Sequence, residues 1–245
     1  MKRQYAALHA HPVVDICSGK LAKVGLCPYL VDGYEPERLE SLLPIGWNAS
    51  SLDLACAFAA ALENFCARQV SLCLAVDLIQ VSTPTFSRTL KTAIEQAHTN
   101  PNLLELALSE DSLTRASSAG SPALGKLQPL GVGLSLRGYG EGTTPLQLFQ
   151  DFEFSSVSLA PRITEQLRHP LRSPHYSAAV VSCVLDLARM LDFEVIAVSI
   201  GAYEQAQCLR GLGCVLQHGS LYAPPVVFNY ANIESALHTA WFEFF

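Results

Sequence analysis

The chain has 245 residues, half of them hydrophobic and 16% charged, with a net charge of −6. That is apolar material for one barrel-sized core or two small domains, and it excludes a disordered chain. No Lys/Arg cluster stands against the acidic balance, which argues against a nucleic-acid surface. The eight cysteines form no CxxC pair and read as small buried hydrophobes of a reducing compartment. No apolar leader follows Met1-Lys2-Arg3, and charges interrupt the most apolar region, 178–202. Together these point to a cytoplasmic protein without a membrane span.

The first predicted elements are two strands, His11–Ile16 and Leu21–Cys27, joined by a turn at 17–20 as an antiparallel hairpin. A polar loop follows at Val31–Pro44, then an Ala-rich helix over Ser51–Ala67. Val70–Leu78 is a strand, Thr85–His98 a helix ended by Asn100-Pro101, and Leu103–Leu108 the next strand, with its C-terminal edge at Ser109–Asp111. A Ser/Gly loop at Ala116–Pro122 has weak helices on either side. Val132–Leu136 is a strand running into the Gly-rich loop Arg137–Gly142, taken as a tight loop. A short helix at Pro145–Phe149 precedes the strand Ser156–Leu159, and Arg168–Pro174 is loop. The amphipathic helix Ala178–Leu191 leads into a strand from Val195.

Glu204–Leu212 has helical spacing and Gly213 stops it. Cys214–Gln217 is a short strand, and Asn229–Phe245 a terminal helix. Strands alternate with helices throughout and no linker interrupts them, which favours one (β/α) barrel over an open doubly wound sheet. The open sheet would need a phosphate-binding Gly loop after its first strand, and none is present. In a parallel barrel the chemistry sits at strand C-terminal ends, here Val198–Ala202 and His218–Ser220. Neither end carries a carboxylate.

Val195–Pro225 resembles the C-terminal hallmark of EAL domains, the bacterial cyclic-di-GMP phosphodiesterase family, in which VIAEGVET leads through a helix to LGCDYVQGY. Val195, Ile196, Ala197, Glu204, Gln205, Leu212, Gly213, Cys214 and Gly219 match. HPVVDICSGKLAKV is similar to the family opening QPIVDLRTGRLVGV, and LAVDL (74–78) to its VNLS strand. LELALSED (104–111) is similar to LELELTES, LSLRGYGEG (134–142) to LALDDFGTG, and SSVSLA (155–160) to the strand ending KID. The resemblance covers nearly the whole chain as a single domain, residues 1–245. It implies an EAL-type modified TIM (β/α)8 barrel with an antiparallel first strand.

The resemblance also implies a reaction that this chain does not equip. Members use divalent cations held by Glu, Asp and Asn, with a Lys and a further Glu orienting the attacking water. The signature Glu-Ala-Leu is Gly25-Leu26-Cys27 here, the ligating Asn is Asp77, and the third-strand Glu is Ala107. The adjacent Asp pair is Arg137-Gly138, the Lys is Ser158 and its neighbouring Asp is Ala160. The late carboxylates are Val198 and Gly201, and the late Gln is His218. Glu110 holds the last Glu of an E-x-x-E pattern. At ~4 Å and an effective dielectric of ~20, Arg137 would cost a monovalent cation about 4 kcal/mol. The expectation is a degenerate, non-catalytic member with no cofactor and no metal.

Non-hydrolysing members hold cyclic-di-GMP with a Gln and an Arg, and those positions are His11 and Tyr29 here, so such binding stays a secondary expectation that rests on Arg137 and the amides of Gly138–Gly142. Arg137 is expected to pair with Asp77 or Glu110 and plug the unused pocket, and His218 to be a hydrogen-bonded imidazole. Tyr29, Leu30 and Tyr34, and Trp241, Phe242, Phe244 and Phe245 in the tail, are candidate interface residues; for the tail, sealing of the barrel end is the alternative. The resemblance implies a protein partner, for example a transcriptional regulator in motility or biofilm control, with a homodimer open.

Overall fold

The computed structural model describes residues 4–32, 43–44, 46–66, 69–118, 122–125, 127–142, 146–167 and 174–237. The chain opens with β1 (Gln4–Asp15) and β2 (Lys20–Asp32), a hairpin whose turn is tied by Asp15 accepting from the Cys17 amide at 2.9 Å. Both strands extend well beyond the apolar runs that announce them in the sequence, because twelve residue pairs keep the ladder going from Asp15–Lys20 out to Gln4–Asp32. β3 (Leu43–Pro44) adds briefly to β2 inside the stretch read as loop.

α1 (Ala49–Phe65) starts in a capping box, with Asn48 and Ser51 each bonding the other's backbone N–H. β4 (Ser71–Ala75), α2 (Leu78–Val81) and α3 (Pro84–Ala97) follow, then β5 (Leu104–Ser109), α4 (Glu110–Ser118) and α5 (Pro122–Gly125). β6 (Gly133–Tyr139), α6 (Leu148–Asp151), β7 (Ser156–Leu159), α7 (Pro161–Gln166) and α8 (Pro174–Leu191) come next. β8 (Glu194–Ala197), α9 (Tyr203–Leu212), β9 (Leu216–Gln217), β10 (Val226–Phe228) and α10 (Ile233–Leu237) complete the described order. Gly213 ends α9 in the left-handed conformation at φ 95°, as its place after the last apolar residue predicts.

The strands close a ring in the order β1-β9-β8-β7-β6-β5-β4-β2 and back to β1. β1 runs antiparallel to both neighbours and every other contact around the ring is parallel. This is the expected eight-stranded barrel with an antiparallel first strand. β10 pairs with β1 outside the ring through Leu8–Phe228 to Ala10–Val226. Leu72, Leu74, Leu104 and Leu106 face the helices and are at most 1% exposed. Phe58 of α1 packs against Phe228 with the rings tilted and their centroids 4.3 Å apart. None of the described helices is long and apolar enough to cross a membrane.

The alternate residues face the inside of the ring. Lys23 of β2 reaches Glu105 of β5 and Glu194 of β8, strands that are not its neighbours, so these three lie inside the barrel. Glu105 also accepts from Ser156 of β7 at 2.5 Å, and Ser156 shares a 2.8 Å hydrogen bond with Ser135 of β6. This polar floor carries a buried ion pair: Lys23 and Glu105 are each 3% exposed. Burial opposes the Lys23 charge, but Glu105 and Glu194 more than reverse that and hold its pKa above the ordinary lysine value.

Candidate functional site

In-register partners share a face, so the ladder places each expected pocket position. Gly25 is aligned with His11 on β1 and Cys73 on β4. Ala107 is aligned with Ser135, and Arg137 with Ser109. Ser158 is aligned with Ile196 of β8. All these lie on the face of Lys23 but nearer the parallel strands' C-terminal ends. Val198 follows β8 by one residue and His218 follows β9 by one, so both join the same mouth. Gly25, Cys27, Tyr29, Ala107, Arg137, Ser158, Val198 and His218 are thus gathered on one end of the barrel. Leu26 points the other way into the core at 0% exposure. Gly201 lies further along the loop into α9, where its N–H is bonded to Gln205 at 3.1 Å.

The two remaining carboxylates are committed to backbone. Asp77 is exposed and caps α2, accepting from the Ile79 N–H at 2.7 Å. Glu110 is 4% exposed. Its Oε2 accepts from the amides of Gly140 at 2.9 Å and Gly142 at 3.3 Å, and so ties down the Gly-rich loop after β6. Ser158, at the position of the family's Lys, accepts from the Gly138 amide at 3.1 Å and braces the same loop.

Arg137 corrects an expectation. It is exposed and pairs with neither Asp77 nor Glu110, so it is not a plug. Solvent screens an exposed guanidinium, and the electrostatic penalty it places on a bound cation shrinks accordingly. The case against the family's metal centre rests instead on the donors. Hard divalent cations take six or more oxygen ligands. Here Gly25, Ala107 and Val198 present no side-chain oxygen, Asp77 caps α2, and Glu110 holds the loop amides through Oε2 and has only Oε1 without a partner. The residues present do not fit such an ion. Among the described residues no three His, Cys, Asp or Glu side chains converge as a ready metal site.

The mouth holds a feature that linear spacing hides. His9 and His11 alternate on β1, and His218 arrives from the far end of the chain. Ring centroids are 4.3 Å apart for His9–His11, 5.4 Å for His11–His218 and 5.5 Å for His9–Tyr29. His218 bonds the Pro12 carbonyl through Nδ1 at 2.9 Å, in line with the expected satisfied imidazole. Nε2 of His9 is buried and has no hydrogen-bond partner. Burial lowers the pKa of all three; His11, flanked by the other two, is pushed down to about 3. The i, i+2 pair on a strand was the available sequence signal; the third imidazole gave none.

An acid-stability prediction follows. The His11 pKa is lower in the folded chain (about 3) than in the unfolded one (6.5), so below pH 6.5 the unfolded state binds the extra proton. Stability contributed by neutral His11 is complete above pH 6.5 and drains away as pH falls toward 3. The groups facing it are His9 and His218, and their lowered pKa values act in the same direction. His11→Gln is expected to remove roughly 3 kcal/mol of acid sensitivity, read as a flatter plot of urea midpoint against pH between 7 and 4.

The loop after β8 keeps its shape without carboxylates. Thr164 donates to the Val198 carbonyl at 2.6 Å, and Gln205 bridges Thr164 and Gly201. Ser199 sits at φ 61°, where the family has Gly, at a cost of about 1 kcal/mol. Of the candidate interface residues, Tyr29 is half-buried beside His9, and Leu30 lies in β2 opposite Leu43. Tyr34, Trp241, Phe242, Phe244 and Phe245 lie outside the described residues. α10, just before that tail, buries Ala236 and Leu237.

Comparison with known proteins agrees with this architecture. The family model described as the EAL domain matches residues 2–225. An uncharacterized signaling protein of Caulobacter vibrioides is 29% identical over 70% of this chain and 20% of its own length. The cyclic di-GMP phosphodiesterase RocR of Pseudomonas aeruginosa is 25% identical over 60% of this chain and 36% of its own. The chain therefore spans well under half the length of these curated relatives. Among solved structures, the PaMucR phosphodiesterase in its c-di-GMP complex superposes with a TM-score of 0.76, at 20% identity, over 93% of this chain and 94% of that one. The EAL domain of Mycobacterium smegmatis DcpA gives 0.74 at 18% identity, over 96% of this chain and 98% of that one. A closed barrel with an antiparallel first strand, and a family match running from its first strand past its last, place this chain in the EAL domain family.

Proposed function

We propose that this chain is a non-catalytic member of its family that acts by binding another protein. The observation that carries this reading is the donor set of the mouth: glycine, alanine, arginine, serine and valine stand where the family's chemistry needs oxygen ligands and an ammonium group. Relatives named as phosphodiesterases share the frame, while this chain departs at the strand ends. A fold kept with its ligand-bearing side chains replaced remains suited to surface recognition. The partner we favour is a transcriptional regulator in a cyclic-di-GMP-linked pathway such as motility or biofilm control, reached in the cytoplasm, with the surface around Tyr29 and Leu30 contributing to contact.

The second reading, a cyclic-di-GMP receptor without turnover, is favoured by Arg137, which is exposed, makes no ion pair among the described residues and offers a phosphate contact. Calorimetry separates the two. The protein-binding reading expects no heat when the dinucleotide is titrated to high micromolar concentration, together with a stoichiometric protein recovered in co-purification. Saturable heat that is lost in Arg137→Ala would move the assignment to a receptor, and failure to recover any partner would count against the first reading.

A further inference from the structure

We propose that a groove on the outer wall of the barrel, over β6, receives an amphipathic helix of a protein partner whose polar face is basic. This rests on the protein-binding reading and deepens it, adding the docking site and the kind of element that fills it.

The groove exists because β6 lacks a full helical cover. Side chains alternate along a strand, so Leu134 faces outward while Ser135 faces the ring interior with Ser156. On β4 and β5 the outward leucines Leu72, Leu74, Leu104 and Leu106 are sealed at 1% exposure or less. Leu134 and Val132, just before it, remain partly exposed. The helices flanking them are single turns: α5 and α6 have four residues each, against 17 in α1 and 18 in α8. The wall of β6 is therefore open where a longer helix would lie.

The space left measures about 1270 Å³, larger than the ~300–1,000 Å³ of small-molecule sites. Phe149 stacks on Phe193 with centroids 5.4 Å apart and meets Phe154 edge-on at 5.5 Å, which gives the groove an aromatic base. Phe149 and Phe152 are only half-buried, and Met190 at the rim is 81% exposed. A long concave surface of aromatic, aliphatic and methionine side chains is what helix-in-groove recognition uses.

Charge decides which helix fits. Every charged residue in the described lining is acidic: Asp151, Glu153 and Asp192. Glu153 and Asp192 are exposed and would repel an acidic helix. A helix with Lys or Arg beside its apolar stripe meets complementary charge instead. The same repulsion disfavours two copies of this chain pairing groove to groove, since a two-fold axis would set these acids against one another.

The test uses the 245-residue chain and a fluorescein-labelled peptide of leucine and lysine, with leucines at i, i+3, i+4 and i+7, read by anisotropy. The wild-type chain should bind it saturably and one to one, and the matching leucine–glutamate peptide should not bind. Glu153→Lys/Asp192→Lys should weaken binding about tenfold or more. Glu63→Lys/Glu204→Lys, with the same net charge change placed on α1 and α9, should leave it unchanged. Val132→Trp fills the groove and should abolish binding, with circular dichroism and the urea midpoint showing that the variant is folded. Absence of saturable binding to wild type overturns the proposal, as do equal binding of the glutamate peptide and equal losses in the two charge-reversed pairs. A wild-type dimer that Val132→Trp makes monomeric in light scattering also overturns it, because the groove then holds a second copy. A co-purified partner that binds Glu153→Lys/Asp192→Lys and Val132→Trp as tightly as wild type removes this docking site and leaves the protein-binding reading in place.

Discussion

Lys23→Met is expected to lower the stability of the barrel by about 3–5 kcal/mol. The methionine fills much of the lysine's volume, so the loss comes mainly from charge. Removing the ammonium leaves Glu105 buried at 3% exposure with Ser156 and Cys73 as its remaining donors among the described residues, and an uncompensated carboxylate in the barrel interior is expensive. Glu194 matters less, since its side chain is 55% exposed and solvent takes over when Lys23 is gone. The double variant Lys23→Met/Glu105→Gln should recover a large part of the loss, because neither partner is then left charged. Urea unfolding of the two single variants and the double closes the cycle. Equal losses in Lys23→Met and Glu194→Gln would contradict the assignment of Glu105 as the dominant partner.

Gly219→Ala is expected to cost about 4 kcal/mol or to prevent folding. Gly219 lies at φ 159°, and a Cβ there would stand 2.2 Å from the Ile200 carbonyl oxygen and 2.3 Å from its nitrogen. Those atoms belong to backbone that cannot swing aside. The Ile200 N–H donates to the His218 carbonyl and the Ile200 carbonyl accepts from Leu221, both at 3.0 Å. Relieving the contact therefore breaks the link between the loops after β8 and β9, which is also the seat of His218. Gly211→Ala in α9 is the matched control: nothing lies within 4 Å of the added Cβ, and the change should stabilise by about 0.5 kcal/mol. Thermal unfolding of the pair, measured side by side, should move in opposite directions.

The frame was legible in the sequence because it is written in local signals. The run Ser156–Leu159 was read at its full extent, and Gly213 marked the end of α9, since apolar periodicity and a left-handed glycine act within a few residues. β3 and β10 were missed because two or three residues form a strand only by pairing with a partner already in place. The polar floor was invisible for a related reason. Lys23 and Glu105 each look like a stray charge in an apolar strand, and only barrel closure brings them together.

At the mouth, the role expected of Arg137 is not the one the structure shows. Pairing Arg137 with a nearby carboxylate is sound reasoning for a buried arginine, yet Arg137 is exposed and the carboxylates have backbone partners. Oε2 of Glu110 in particular is spent on the amides of Gly140 and Gly142, a use that depends on how the loop folds back over α4. The imidazole row is hidden in the sequence because His9 and His11 stand two positions apart on one strand while His218 comes from the far end of the chain.

The most direct test of the central claim is a hydrolysis assay with cyclic-di-GMP and excess Mg2+ or Mn2+, using the purified 245-residue chain and following the linear dinucleotide. The donor set of the mouth predicts no product above the protein-free blank. Metal-dependent product formation that rises in proportion to the protein, and disappears when Glu110 is changed to alanine, would contradict it.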